Sequence, residues 1–226
     1  AMIIALIILV IFILYGPHLW ARYVIQRYNR EEYFSGNGFD LARLLLKAAE
    51  LDTVAVETAP QGDHYDPEKK VVRLTTTTCG RNTLTAVVVA AHEVGHALQD
   101  RENYPPLAVR TRLVGAASRL ERIGAGIMMV VPVLAVVTRM PAAGALMFLG
   151  GLATLGMPIV IHLLTLPTEF NASFKRALPL LVEGAYIPPE DIPAARRILL
   201  ACALTYVANA MVGLLNIWRW IRVLRR

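Results

Sequence analysis

Two histidines four residues apart with a glutamate between them, His92-Glu93-Val94-Gly95-His96, are the residues whose types and spacing point most directly to chemistry. On a helix, positions i and i+4 share one face a turn apart, so both imidazoles can close on one ion. Neutral imidazole suits zinc (Zn2+), whose catalytic sites take three protein ligands and leave a fourth position open. Glu93 follows His92 directly and is placed to take a proton from a water that such an ion activates. The motif therefore predicts metal-assisted hydrolysis, with His92 and His96 as ligands and Glu93 as general base. The bland alternative, a chance match in a helix with two satisfied histidines, arises in roughly a few chains per thousand of this length.

A third ligand must come from elsewhere, and Glu169 in Pro167-Thr168-Glu169-Phe170-Asn171-Ala172-Ser173 is the first candidate. The spacing predicts a second amphipathic helix starting there, with Phe170, Phe174 and Leu178 as its packing face. Glu169 and Ser173 share another face, so the Ser173 hydroxyl is expected to support a ligating carboxylate. A carboxylate at a helix N-terminus is also favoured by the macrodipole alone. Glu50, Glu57, Glu102, Glu121 and His64 remain alternatives for the third ligand. Hydrolysis also wants a donor for the developing oxyanion, and His64, Tyr65, Arg73 and Asn171 are the polar groups near enough in sequence to consider.

The elements that must position these groups lie in about 100 residues of ordinary composition, enough for a small α+β domain. Phe39 to Leu51 repeats apolar residues at helical spacing after the breaker Gly36-Asn37-Gly38. Thr53 to Thr58 and Val71 to Thr78 alternate as strands, with Gln61 to Pro67 as the turn-rich loop between them. The metal helix is expected from Asn82 or Thr83 to about Gln99, too apolar for a surface and too short to cross a bilayer. The strand at Val71 to Thr78, just before that helix, is expected to offer an edge for an extended peptide.

Composition sets this domain on a membrane. Of 226 residues 56% are hydrophobic and only 18% charged, which an ordinary soluble domain does not show. Four apolar stretches stand out: Met2 to Tyr15, Ile123 to Thr138, Ala142 to Leu166, and Ile198 to Ile217. The third exceeds the ~20 residues a spanning helix needs, the fourth just reaches it, and the first two borrow flanking residues. The first lacks a basic start and a small-x-small cleavage site, so it is expected to be a retained anchor rather than a signal peptide. Cys79 and Cys202 lie far apart, which argues against a disulfide framework and leaves too few thiols for a cysteine zinc site. The net charge of +6 gathers beside the apolar segments, as in Arg219, Arg222, Arg225 and Arg226. Lipid headgroups of a bilayer, not nucleic acid, are the expected partner. His162, inside the third stretch, is expected to be a polar anchor near the interface.

Several segments together resemble a known family, the YugP-type membrane zinc metallopeptidases, which are similar in ligand logic to HtpX-type proteases. The likeness rests on the N-terminal apolar segment, Asp63-His64-Tyr65-Asp66-Pro67 followed by Val71-Val72-Arg73-Leu74, Ala90 to Gln99 around the histidine motif, Leu166 to Ser173, and Ala203-Leu204-Thr205-Tyr206-Val207-Ala208. It runs over nearly the whole chain. The resemblance implies peptidase activity on a peptide or membrane-protein substrate and a zincin-like domain, and it implies that Glu169 is the glutamate ligand. Related peptidases often carry an aspartate four residues after that glutamate, where this chain has Ser173.

The expected whole is a multi-pass α-helical membrane protein with a small α+β zincin-like metallopeptidase domain at the membrane surface. Its layout is an anchor (1-21), the domain (22-118) with the metal helix at 83-99, a transmembrane hairpin (119-166), the glutamate-ligand helix (167-197), and a C-terminal transmembrane helix with a basic tail (198-226). If His92, His96 and Glu169 bind one ion, the chain between them crosses the membrane an even number of times. The second and third stretches supply two crossings, turning at Arg139-Met140-Pro141. Arg22, Arg27, Arg30, Arg119, Arg122, Lys175, Arg176, Arg196 and Arg197 then lie on the site side, an excess that predicts a cytoplasmic site. The competing functions are an intramembrane site-2-type protease and a non-catalytic scaffold or transporter with a structural metal. The sequence does not specify the substrate or the oligomeric state.

Overall fold

The computed structural model describes residues 2–29, 36–60, 62–138 and 141–215. Arg30, Gln61, the turn at Arg139-Met140, the end of the fourth apolar stretch and the basic tail lie outside the described residues, as does the side chain of Glu121. The chain is mostly helical with one small sheet. Its elements in order are α1 (Met2–Arg27), α2 (Gly38–Ala48), β1 (Ala55–Ala59), β2 (His64–Asp66), β3 (Val71–Thr75), the single turn α3 (Thr76–Cys79), α4 (Leu84–Arg101), α5 (Pro105–Thr138), α6 (Pro141–Phe170), a π-helical segment (Asn171–Ala177), α7 (Leu178–Glu183), a 3-10 turn (Pro189–Asp191) and α8 (Ile192–Leu215).

The chain divides into two compact units. One contains residues 19–107 and 166–205; the other contains 1–18, 108–165 and 206–226. The first unit holds the sheet, α2, α3, α4, the π-helical segment and α7. Its core joins Leu41 and Leu45 of α2, Val72 and Leu74 of β3, Val87 and Val88 of α4, and Ile198 and Leu199 of α8. Helix α4 is the axis of that core, buried at every position from Leu84 to Gln99.

Local chemistry explains where these elements begin. Asn37 starts α2 with a capping box: its side chain accepts from the Asp40 amide at 2.9 Å while Asp40 accepts from the Asn37 amide at 3.2 Å. Thr83 starts α4 by accepting from the Ala86 amide, and its hydroxyl donates to Asn29 at 2.7 Å. Beside it, Thr85 donates to the Ile25 carbonyl at 2.9 Å, so the first turn of α4 is tied to the end of α1.

Four sequence expectations are corrected here. The strand expected to run to Thr78 stops at Thr75, because the Thr75 hydroxyl caps the one-turn helix α3. The loop before it contains a third strand, β2, in the sheet order β1-β3-β2, with β1 parallel and β2 antiparallel to β3. β3 is therefore the central strand, and the edge expected to be open there is filled. Glu169 does not begin a helix; α6 runs from Pro141 through it and opens into the π-helical segment. Finally, two described helices, not four, are long and apolar enough to cross a membrane, Leu149–Glu183 and Pro189–Val212. Many side chains of α1 and of the second half of α5 lie outside the described residues.

Candidate metal centre

α4 presents His92 and His96 on one face, as the four-residue spacing requires, with ring centroids 4.9 Å apart and nearly perpendicular. Glu169, at the end of α6, brings Oε2 to 3.4 Å from His92 Nε2 and 3.2 Å from His96 Nε2. All three side chains are buried, and their candidate ligand atoms lie within 4.8 Å of one another. Ligands about 2.0 to 2.1 Å from a zinc ion at tetrahedral angles stand about 3.3 Å apart. The two carboxylate-to-imidazole distances match that spacing.

The outward nitrogens of the two rings decide which lone pairs face the centre. Ser173 Oγ lies 3.0 Å from His92 Nδ1 and 3.1 Å from the Leu199 carbonyl oxygen. A carbonyl only accepts, so the single hydroxyl proton goes to Leu199 and the Ser173 lone pair accepts from His92 Nδ1–H. His96 Nδ1 lies 2.9 Å from Gln99 Oε1, and the Gln99 amide nitrogen donates to the Thr168 carbonyl at 2.9 Å. That orientation makes Gln99 Oε1 an acceptor for His96 Nδ1–H. Both rings thus hold a proton on Nδ1 and turn Nε2 toward Glu169, the nitrogen that would ligate zinc in that tautomer. The residues fit zinc on geometry and on donor chemistry.

The profile of the family described as "Putative neutral zinc metallopeptidase" matches residues 2–225. The chain belongs to that family. It is 33% identical over 227 residues to "Putative membrane protease YugP" of Bacillus subtilis (strain 168), covering 92% of each chain. No solved structure matches. The resemblance read from the motifs is therefore the family of the chain.

Within this metallopeptidase family member, the structure separates the alternatives that sequence left open. Among the described residues, His92, His96 and Glu169 form the one group of three with metal-ligand spacing. Glu57 instead pairs with Arg73 at 3.3 Å, Glu102 pairs with Arg176 at 2.5 Å, and His64 Nδ1 lies 3.0 Å from the Gly62 carbonyl. Glu50 sits exposed beyond the end of α2 in the left-handed region, at φ 55. Ser173, expected beside the carboxylate, stands behind the His92 ring instead.

The oxyanion candidates are distributed in the same way. Tyr65 donates to Asp100 Oδ2 at 2.5 Å, and burial, with Asp100 adding to it, pushes its phenol well above its ordinary value. Arg73 donates to Asp66 at 2.8 Å. Asn171 alone of the four joins the hydrogen bonds of the centre, 2.8 Å from the Gln99 amide nitrogen. His162 belongs to the other unit, where its ring stacks on Tyr206 at 5.6 Å.

Two contributors escaped the sequence reading. Gln99 lies one turn after His96, a spacing that could have marked it. Gly95 has a steric role: a Cβ there would meet the Ala172 carbonyl oxygen at 2.6 Å. The close approach of the π-helical segment to α4, which delivers Glu169 and Ser173, depends on this missing side chain.

Proposed function

We propose that the chain is a membrane-bound zinc endopeptidase in which His92, His96 and Glu169 hold the ion and Glu93 is the general base. The observation that carries this reading is the convergence of two imidazole Nε2 atoms and one carboxylate oxygen in a buried site. When bound, zinc supplies a Lewis acid that polarises a carbonyl and makes water acidic near neutral pH. The chain supplies the rest. Glu93, buried at 6% exposure on the same helix, takes a proton from the attacking water as the new C–O bond forms. The protonated carboxyl then returns that proton to the departing amine nitrogen as the C–N bond breaks. Ser173 and Gln99 hold the two imidazoles in register throughout.

The substrate class is a peptide or a membrane protein. Two apolar helices and the name of the Bacillus relative, a membrane protease, support a membrane location. The finer layout belongs to the same proposal: an anchor over 1-21, a hairpin over 119-166, a last span within 198-226, and a site on the cytoplasmic side, where the juxtamembrane basic residues gather.

One comparison tests the reading. Glu93→Gln keeps the side-chain shape and loses its basicity, so it retains about one zinc per chain while chelator-sensitive cleavage of membrane-protein or unfolded-protein substrates falls by ~10²- to 10⁴-fold. Glu169→Ala loses zinc. Equal cleavage by wild type and Glu93→Gln removes Glu93 from the mechanism, and full zinc occupancy in Glu169→Ala removes Glu169 from the ligand set. Zinc bound with no cleavage by wild type across a broad panel favours a structural metal in a scaffold.

A further inference from the structure

The hydrogen bonds behind His96 continue past Gln99, and their direction is forced at each step. Arg176 Nη1 lies 2.6 Å from Asn171 Oδ1, and Nη2 lies 2.5 Å from Glu102 Oε2. Its guanidinium carbon also stands 5.3 Å from the centre of the Tyr104 ring, and the side chain is 13% exposed. A guanidinium has no lone pair, so the Asn171 atom facing it must be the oxygen. That oxygen accepts a second hydrogen bond, 2.8 Å from the Gln99 amide nitrogen. The Gln99 nitrogen therefore faces Asn171 and the Thr168 carbonyl, and its oxygen must face His96 Nδ1. His96 can meet that acceptor only with the proton on Nδ1. A cation that accepts nothing and the Thr168 carbonyl, which donates nothing, thus fix together the polarity of the chain Arg176, Asn171, Gln99, His96.

The backbone makes this reach available. Asn171 and Arg176 are five residues apart, which on an α-helix at 100° per residue places them about 140° apart. Both lie in the π-helical segment, whose i to i+5 hydrogen bonds bring such residues over one another. The segment that widens the helix after Glu169 is the one that lets Arg176 act on His96.

We infer that Arg176 is a positioning residue for the metal centre, holding the His96 Nδ1 proton in place through Asn171 and Gln99, together with the Thr168 carbonyl, without touching the ion. This rests on His96 being a ligand, but the tautomer itself is read without metal. Without Arg176, the Asn171 amide is free to turn its nitrogen toward Gln99, where two donors meet, and Gln99 keeps Thr168 as its remaining anchor.

The test uses the full chain in detergent, labelled with 15N-histidine and metal-free, with zinc affinity measured separately by chelator competition. In wild type, His96 shows a proton on Nδ1 held by Gln99. In Arg176→Ala that signature gives way to mixed tautomers and zinc affinity falls about tenfold, at the lower end for a residue behind a ligand. Pairing Arg176→Ala with Asn171→Asp, whose carboxylate accepts through either oxygen, restores the Nδ1–H signature. Should Arg176→Ala fail to fold by thermal melt, Asn171→Ala carries the same expected losses. An unchanged His96 signature with unchanged zinc affinity in the folded variant overturns the inference, as does a double variant no better than Arg176→Ala alone. If wild type binds no zinc, the metal reading fails while the tautomer result still decides the role of Arg176.

Discussion

At Gly95 the metal helix has no room for a methyl group. The nearest atom to a Cβ there is the backbone oxygen of Ala172, at 2.6 Å, and no side-chain rotation relieves a clash with backbone. Gly95→Ala must push α4 and the π-helical segment apart, which draws Glu169 away from the two imidazoles. The expected cost is about 1–3 kcal/mol of stability, typical of overpacking, together with weaker zinc binding. Thermal unfolding and chelator competition on the same preparation check it, and wild-type values in both would show that the interface yields without effect. His92, Glu93 and His96 could be read locally, because their relation is the geometry of one helix. Gly95 could not, since its constraint comes from a residue 77 positions along the chain.

The β2–β3 pair shows what alternation alone leaves out of an element. Only three residues form β2, and Asp66 at its end closes the turn by accepting from the Glu68 and Lys69 amides at 3.1 Å each while pairing with Arg73 of β3. An Asp-Pro turn signal hides so short a strand from a sequence reading. Burial alone would raise the Asp66 carboxyl, but the Lys69 amide, Arg73 and the Glu68 amide together hold it below the usual carboxylate range. The folded value thus lies below the unfolded one, so the contribution to stability is complete above about pH 4 and is lost as pH falls through the folded value. Asp66→Asn is expected to cost about 1 kcal/mol at pH 7, since the pair is partly exposed. The difference from wild type should shrink in acid. Chemical denaturation at pH 7 and pH 3 measures it, and a difference that stays constant with pH would show that the charge of Asp66 is not what stabilises the turn.

On the scale of the whole molecule, the site lies in a unit made of two chain segments, residues 19–107 and 166–205, with the intervening stretch assigned to the other unit. The chain leaves the site unit after His96 and returns before Glu169. On the proposed layout a membrane hairpin lies between them, which would give an even number of crossings and place both ligand elements on one side. Single cysteines at Lys69 and at Met140, in a chain lacking Cys79 and Cys202, should then label from opposite faces of sealed vesicles, with Lys69 reached from the cytoplasmic face. Labelling of both from the same face would reject the hairpin.

What sequence by itself determined is what is local or compositional. It specified the paired histidines and the glutamate between them, the helical period of α2, the extent of α4, the apolar character of the chain and, through its motifs, the family. It narrowed the third ligand to Glu169 only by resemblance, and it set Ser173 beside the wrong partner. Tertiary structure decided that Glu169, and not Glu57, Glu102 or His64, stands beside the two imidazoles, which groups hydrogen-bond behind both rings, and the order of the strands. The reason is physical. Hydrogen bonds from Ser173 to His92 and from Gln99 to Thr168 join residues 81 and 69 positions apart. No period of 2 or 3.6 residues encodes such contacts. They exist because α4 and the π-helical segment approach within backbone distance at Gly95, and that approach is a property of the packed core.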